Sequence, residues 1–166
     1  MACDYAFPWD PLIADFKFHG QVQLAAPLAR LLMRAVRRDA EALPQWVLPV
    51  PLAPQRLAER GFNQAWERAR RVAHGLGCKA NAGLLDRPLV TAHQAELSRV
   101  QRLKNPRGAF VPGISRRVSL QGRHVALVDD VMTSGATLRE AAAALRRSGA
   151  TRVDVWVRAR TPAAND

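Results

Sequence analysis

The chain has 166 residues, 48% of them hydrophobic and 23% charged, which excludes a disordered chain and suits one domain able to bury about 70% of its unfolded surface. Its two cysteines, Cys3 and Cys78, form no C-x-x-C pair, which argues against a zinc ribbon or a dithiol redox site. The formal charge of +11, with 22 arginines among 25 basic residues, points to polyanionic partners such as pyrophosphate, nucleotides or nucleic acid, or to a solvated basic surface.

No apolar run approaches membrane-spanning length, and Met1-Ala2-Cys3-Asp4 lacks the cationic and apolar regions of a signal peptide. Two reduced thiols in a cytoplasmic protein are therefore expected. Residues 1–19 are irregular and aromatic. Val22, Ala25, Ala29, Leu32, Met33 and Val36 predict a helix over 21–38, closed by Arg34, Arg37 and Arg38. Residues 46–50, Trp-Val-Leu-Pro-Val, predict a short buried strand, at an edge or with a bulge because of Pro49. A Pro- and Arg-rich loop is expected over 51–62. A helix over 64–76 follows, capped by Asn63, with Ala65, Ala69, Val72, Ala73 and Leu76 on one face and Gly77 as its stop. A strand is expected over Leu84–Leu89, and a mobile loop with some helix over 91–109. Arg123–Val128 reads as a strand, 136–147 as a helix stopped by Gly149, and 152–157 as a last strand. Strands alternating with helices predict an α/β domain with a mainly parallel twisted sheet.

The strongest chemical signal runs from Val125 to Leu138. A buried strand delivers Asp129 and Asp130 to the carboxyl end of the sheet, where open α/β folds bind ligands. A hydroxyl- and glycine-rich loop then enters a helix, whose free N–H groups and positive end make an anion site. Thr133, Ser134 and Thr137 add hydroxyls, and Gly135 allows close backbone approach. Acids beside a phosphate cradle suit a ligand with both a cis-diol and a phosphate, such as a ribose 5-phosphate. The plainer alternative is a capping box of Thr137 and Glu140 with the acids on a solvated turn. A receiver-type acidic metal site would leave more chain than the 36 residues after Asp130. No P-loop lysine and no G-x-G-x-x-G are present.

The segment 125–138 resembles the signature motif of type I phosphoribosyltransferases. Val50 to Gln64, Phe16-Lys17-Phe18-His19-Gly20, and the series Gln94, Leu97, Arg99, Arg102, Asn105 and Phe110 resemble the ComF/GntX family of phosphoribosyltransferase-like proteins. The resemblance covers nearly the whole chain, as one transferase domain without the N-terminal zinc ribbon many ComF-like proteins carry. It implies a type I phosphoribosyltransferase fold that binds 5-phosphoribosyl-1-pyrophosphate with Mg²⁺. Asp129 and Asp130 would hold the ribose hydroxyls, directly or through the metal. Thr133, Ser134, Gly135, Ala136 and Thr137 would hold the 5-phosphate. Pyrophosphate would lie on the loop from Pro51 and Leu52 to Arg60, with Arg56 and Arg60 as charge partners. Residues 91–109 would form the mobile catalytic loop, with Arg99, Arg102 and Lys104 meeting the leaving pyrophosphate. A hood made of the first 20 residues and the chain's end would hold the acceptor, with Phe16, Phe18 and Trp156 as stacking candidates. A homodimer is implied. No general base stands out among His19, His74, His93 and His124.

Two function classes follow. One is an enzyme that transfers the phosphoribosyl group to a nitrogenous acceptor in nucleotide metabolism. The other is a non-catalytic ComF-like protein that keeps the site but serves DNA uptake, competence or nucleotide sensing. The stretch from Thr91 to Arg107 has no Phe, Tyr or Trp, so its cations lack the aromatic interleaving of a single-stranded DNA groove.

Overall fold

A computed structural model describes residues 3–4, 25–88, 109–113, 118–132 and 134–160. Four helices are described: α1 (Ala25–Asp39), α2 (Pro54–Arg60), α3 (Gln64–Leu76) and α4 (Ala136–Arg147). The strands are β1 (Cys3–Asp4), β2 (Trp46–Pro49), β3 (Lys79–Ala80), β4 (Leu85–Asp86), β5 (Val111–Pro112), β6 (His124–Met132) and β7 (Arg152–Arg160). Five of them form one sheet in the order β1-β7-β6-β2-β3, every pairing parallel, while β4 and β5 pair antiparallel in a small second sheet.

The central strands are apolar without interruption because both faces of the sheet are covered. Val125, Ala126, Leu127 and Val128 are all fully buried. Their alternation divides the core. Leu48, Val125 and Leu127 pack with Leu138, Ala141 and Leu145 of α4 and with Leu85 and Phe110. Val47, Ala126 and Val128 pack with Leu32 of α1 and Val72 of α3. The helices α1 and α3 meet closely where a Cβ at Gly75 would overlap Met33 Sδ, and Arg37 Nη2 donates to the Gly75 carbonyl at 2.8 Å.

Several expected elements differ. The strand at 46–49 is interior, between β3 and β6, rather than at an edge. Pro49 is tolerated there because Val50 N–H donates to Val128 O on β6, so the Pro49 nitrogen faces the β3 side, where pairing stops at Val47↔Ala80. The expected loop at 51–62 contains α2, which opens on Pro54 and closes on Gly61 at φ 73°. The strand expected over Leu84–Leu89 is paired only at Leu85–Asp86. The sixth strand runs on to Met132, through both acids. Cys3–Asp4 pairs with Ala159–Arg160 at the sheet's edge. The rest of the proposed hood, and residues 89–108 of the proposed catalytic loop, lie outside the described residues. No helix among the described residues is long and apolar enough to cross a membrane.

Candidate functional site

The site is assembled at the carboxyl ends of β2 and β6. Their register sets Pro49 opposite Val128, so Val50, Pro51 and Leu52 leave the sheet beside Asp129 and Asp130. Asn63 braces this exit twice. Its Nδ2 donates to the Val50 carbonyl at 3.2 Å, and its Oδ1 accepts from Ala65 N at 2.9 Å and Trp66 N at 3.3 Å as the cap of α3. Between exit and cap stands α2, which has no buried residue. It carries Arg56 into solvent, while Arg60 Nη1 donates to Gln64 Oε1 at 3.5 Å.

On the other side of the acids, Gly135 adopts φ 70° as the residue preceding α4. Its conformation turns the chain from strand to helix without a Cβ, which would press on Arg139 Nη1 at 3.2 Å and Met132 Sδ at 3.4 Å. Ser134 Oγ accepts from Ala136 N at 3.4 Å, and Ser134 and Thr137 are exposed. The first turn of α4 contains no acidic side chain, so its positive end is open to an anion. A capping box is ruled out: the helix starts at Ala136, its cap is Gly135 without a side-chain bond, and Glu140 pairs with Arg147 at 3.6 Å.

The two acids do not act as one pair. Because β6 keeps its pleat through them, they point to opposite faces. Asp130 is on the face of α3, where its carboxylate forms an ion pair with Arg68, a guanidinium only 1% exposed. Asp129 is on the opposite face, and its Oδ1 accepts from Asp130 N at 2.8 Å. Arg87, just after β4, stands within electrostatic reach of both Asp129 and Arg56. Its guanidinium lies 5.4 Å from the centre of the Phe110 ring. Burial is the largest influence that pulls the Arg87 pKa down, Arg56 adds to it, and Asp129 opposes it.

The structure thus sets Asp129, Asp130, Ser134, Gly135, Ala136 and Thr137 at the same end of the sheet as Pro51, Leu52 and the helix α2 that carries Arg56 and Arg60. Thr133, Arg99, Arg102 and Lys104 lie outside the described residues. Sequence reasoning missed Arg68 and Arg87. Arg68 had a legible signal: it falls three residues after Ala65 and four before Val72, on the apolar face of its helix. Arg87 had none, because only the β4–β5 pairing turns it toward β6.

Trp156, a stacking candidate in the sequence, is 6% exposed and packs among Leu32, Val72 and Val128. His124 sits at the other end of β6 from the acids, 3.0 Å from Asp154 Oδ2. His74 is exposed near the end of α3, and His19 and His93 lie outside the described residues. Cys78 is a free thiol whose pKa burial raises. A cavity of about 550 Å³ is lined by Trp46, Lys79, Val118 and Arg123, at the amino end of the sheet and away from the acids.

Residues 67–165 match the family model of the phosphoribosyl transferase domain. The DNA utilization protein YhgH of Escherichia coli strain K12 is 38% identical over 162 residues, 95% of this chain and 70% of that protein. Competence protein F of Haemophilus influenzae is 38% identical over 161 residues, 94% of this chain and 69% of that protein. Among solved structures, the allosteric regulatory enzyme of purine biosynthesis superposes with a TM-score of 0.55 at 23% identity, over 81% of this chain and 26% of that one. Glutamine phosphoribosylpyrophosphate (PRPP) amidotransferase from B. subtilis, complexed with ADP and GMP, gives 0.54 at 22% identity, with the same coverage. This chain spans about a quarter of those two enzymes, and the likeness to them is one of fold.

Proposed function

The chain belongs to the phosphoribosyl transferase domain family, among the ComF-type competence proteins, and on that premise we propose that its site binds 5-phosphoribosyl-1-pyrophosphate and transfers the phosphoribosyl group to a nitrogenous acceptor. The observation that carries this reading is the position of Asp129. It stands at the carboxyl end of β6, between the loop that enters α4 and the arginine-bearing segment that follows β2. The Thr133–Thr137 loop takes the 5-phosphate, its backbone N–H groups donating to the phosphate oxygens. Asp129 accepts from the ribose hydroxyls. Asp130, already matched by Arg68, fixes the end of β6 and shapes the diol's surroundings. The segment from Pro51 to Arg60 takes pyrophosphate.

In the reaction, the bond from C1 of the ribose to a pyrophosphate oxygen breaks, and a bond from the acceptor nitrogen to C1 forms. Charge that grows on the leaving oxygens is met by Arg56 and Arg60, and from the segment 91–109 by Arg99, Arg102 and Lys104. No cluster of three or more metal-ligating side chains is present among the described residues. Asp129 therefore fits Mg²⁺ only as part of a coordination shell that the ligand's own oxygens complete, as Mg²⁺ commonly takes, while Asp130 is turned to the other face and held by Arg68. Asp129 would hold it, and it would supply positive charge to the diphosphate.

Adding the phosphoribosyl compound with Mg²⁺ should raise the melting temperature, since a ligand that binds only the native state stabilises it. A saturating titration that leaves melting unmoved and produces no heat of binding would refute the proposal. The names of the relatives, DNA utilization and competence proteins, favour one further reading, in which the ligand is bound but not turned over. Pyrophosphate release in a screen of nitrogenous acceptors separates the two.

A further inference from the structure

The pairing of β4 with β5 is antiparallel, with Leu85 opposite Pro112 and Asp86 opposite Val111. One more step along that ladder sets Arg87 beside Phe110. The two residues do meet there, with the guanidinium 5.4 Å from the ring centroid. Phe110 is 2% exposed and belongs to the core cluster around β6 and α4. A guanidinium stacked on a fixed ring gives up little further freedom when it binds, so its fork of donors is already aimed. Arg87 N also donates to Asp86 Oδ1 at 2.7 Å, which holds the backbone at this point.

Among the described residues, charges of both signs reach Arg87. Two guanidiniums, Arg56 and Arg87, come within mutual influence, with the Asp129 carboxylate as the acid that reaches Arg87. An arginine stays protonated in proteins, so the repulsion is relieved by an anion rather than by loss of a proton. The anion must carry several oxygens, to take a fork from each side. It must also lie apart from the loop before α4, whose donors are backbone N–H groups. We infer that Arg87 and Arg56 together clamp the diphosphate end of the ligand, an inference that rests on the phosphoribosyl pyrophosphate reading above. Arg87 approaches from the β4–β5 side and Arg56 from α2, so the diphosphate lies between them and beside Asp129.

Calorimetric titration of three probes with Mg²⁺ tests this: 5-phosphoribosyl-1-pyrophosphate, inorganic pyrophosphate and ribose 5-phosphate. Arg87→Ala should weaken the first two by about 10- to 100-fold, which is about 1.4–2.8 kcal/mol, and leave ribose 5-phosphate within about twofold. Arg87→Lys should recover only part of the loss, because an ammonium lacks the two-pronged geometry. If Arg87→Ala does not fold, Arg87→Gln carries the same expectations. Unchanged pyrophosphate affinity in the variant overturns the clamp. So does an equal loss for ribose 5-phosphate, which would mean that Arg87 supports the whole site rather than one end of it. A wild-type protein that binds none of the three overturns the underlying reading and the clamp with it, whereas wild-type binding with an unaffected variant overturns the clamp alone.

Discussion

A charged side chain that is 1% exposed has no solvent to fall back on, and Arg68 is such a side chain. Its guanidinium sits among Ala65, Ala69 and Val72 on the buried face of α3, and its carboxylate partner, Asp130, is 13% exposed. Such a pair adds little net stability, but removing one member strands the other charge, at a cost of about 3–5 kcal/mol. Arg68→Ala should fall at the low end of that range because Asp130 retains some solvent. At roughly 2–4 °C per kcal/mol for a chain of this size, the melting temperature should drop by about 6–12 °C. Replacing both residues together, Arg68→Met with Asp130→Asn, should recover much of that loss because neither charge is then stranded. A scanning calorimetry trace for Arg68→Ala that moves by less than about 2 °C would contradict this account of the pair. The ion pair also explains why two adjacent acids in the sequence are not two equal ligands in the fold. The alternation of a strand sends Asp130 toward α3 and leaves Asp129 on the opposite face, within electrostatic reach of Arg87 just after β4.

The elements around the site differ in how they are held. The sheet and the helices α1, α3 and α4 bury continuous apolar faces. The α2 helix buries nothing, and Leu57 is 43% exposed on it. What fixes its ends is local: the Gly61 turn, whose N–H donates to Leu57 O at 2.9 Å, and the double role of Asn63. Asn63→Ala should therefore cost about 1 kcal/mol as a lost cap. It should also speed amide hydrogen exchange across 53–62 more than across β2 or β6, since segments with few buried contacts open first. Asn63→Asp keeps the cap acceptor but loses the donor to Val50, and should show most of the exchange effect with less of the stability loss. Uniform exchange across these segments in Asn63→Ala would show that α2 is held by something else. The same contrast explains what could be read from sequence. Strands β2, β6 and β7 and helices α1, α3 and α4 announce themselves through apolar periodicity, because each faces a core. The second helix has no such face, and only Pro54 at its start and Gly61 at its end marked it. The acids at the end of β6 disguised the strand's continuation, since polarity reads as a loop. Arg87 acquires its meaning from a two-residue pairing whose partner is 25 positions further on, as Asp86↔Val111 shows.

At the scale of the whole molecule, the charge of +11 invites a nucleic-acid interpretation, and its distribution over the described residues argues against a dedicated groove among them. Many arginines are matched where they stand: Arg38 by Asp39, Arg70 and Arg71 by Glu67, Arg147 by Glu140, and Arg152 by Asp154 and Glu41. Those pairs neutralise parts of α1, α3, α4 and β7. Among the described residues, Arg56 and Arg87 come within mutual influence at the carboxyl end of the sheet. At the amino end, Trp46 is already covered by Lys79, whose Nζ lies 5.5 Å from its ring centroid, so that ring face is not open to a base. A backbone-tracking groove would neutralise several phosphates, each adding about −0.7 to the slope of log affinity against log salt for a single strand. A site made for one diphosphate should engage about two at most. Single-stranded DNA should therefore bind weakly, with a slope shallower than about −2, and millimolar pyrophosphate should displace it. Reversing charge at Arg56 should abolish that residual binding together with pyrophosphate binding, because both depend on the same cations. Fluorescence anisotropy at several salt concentrations, with and without saturating phosphoribosyl pyrophosphate, measures all of this. A slope of several units that persists with the site filled would mean that DNA has its own surface on this protein, and would favour the non-catalytic reading over transfer.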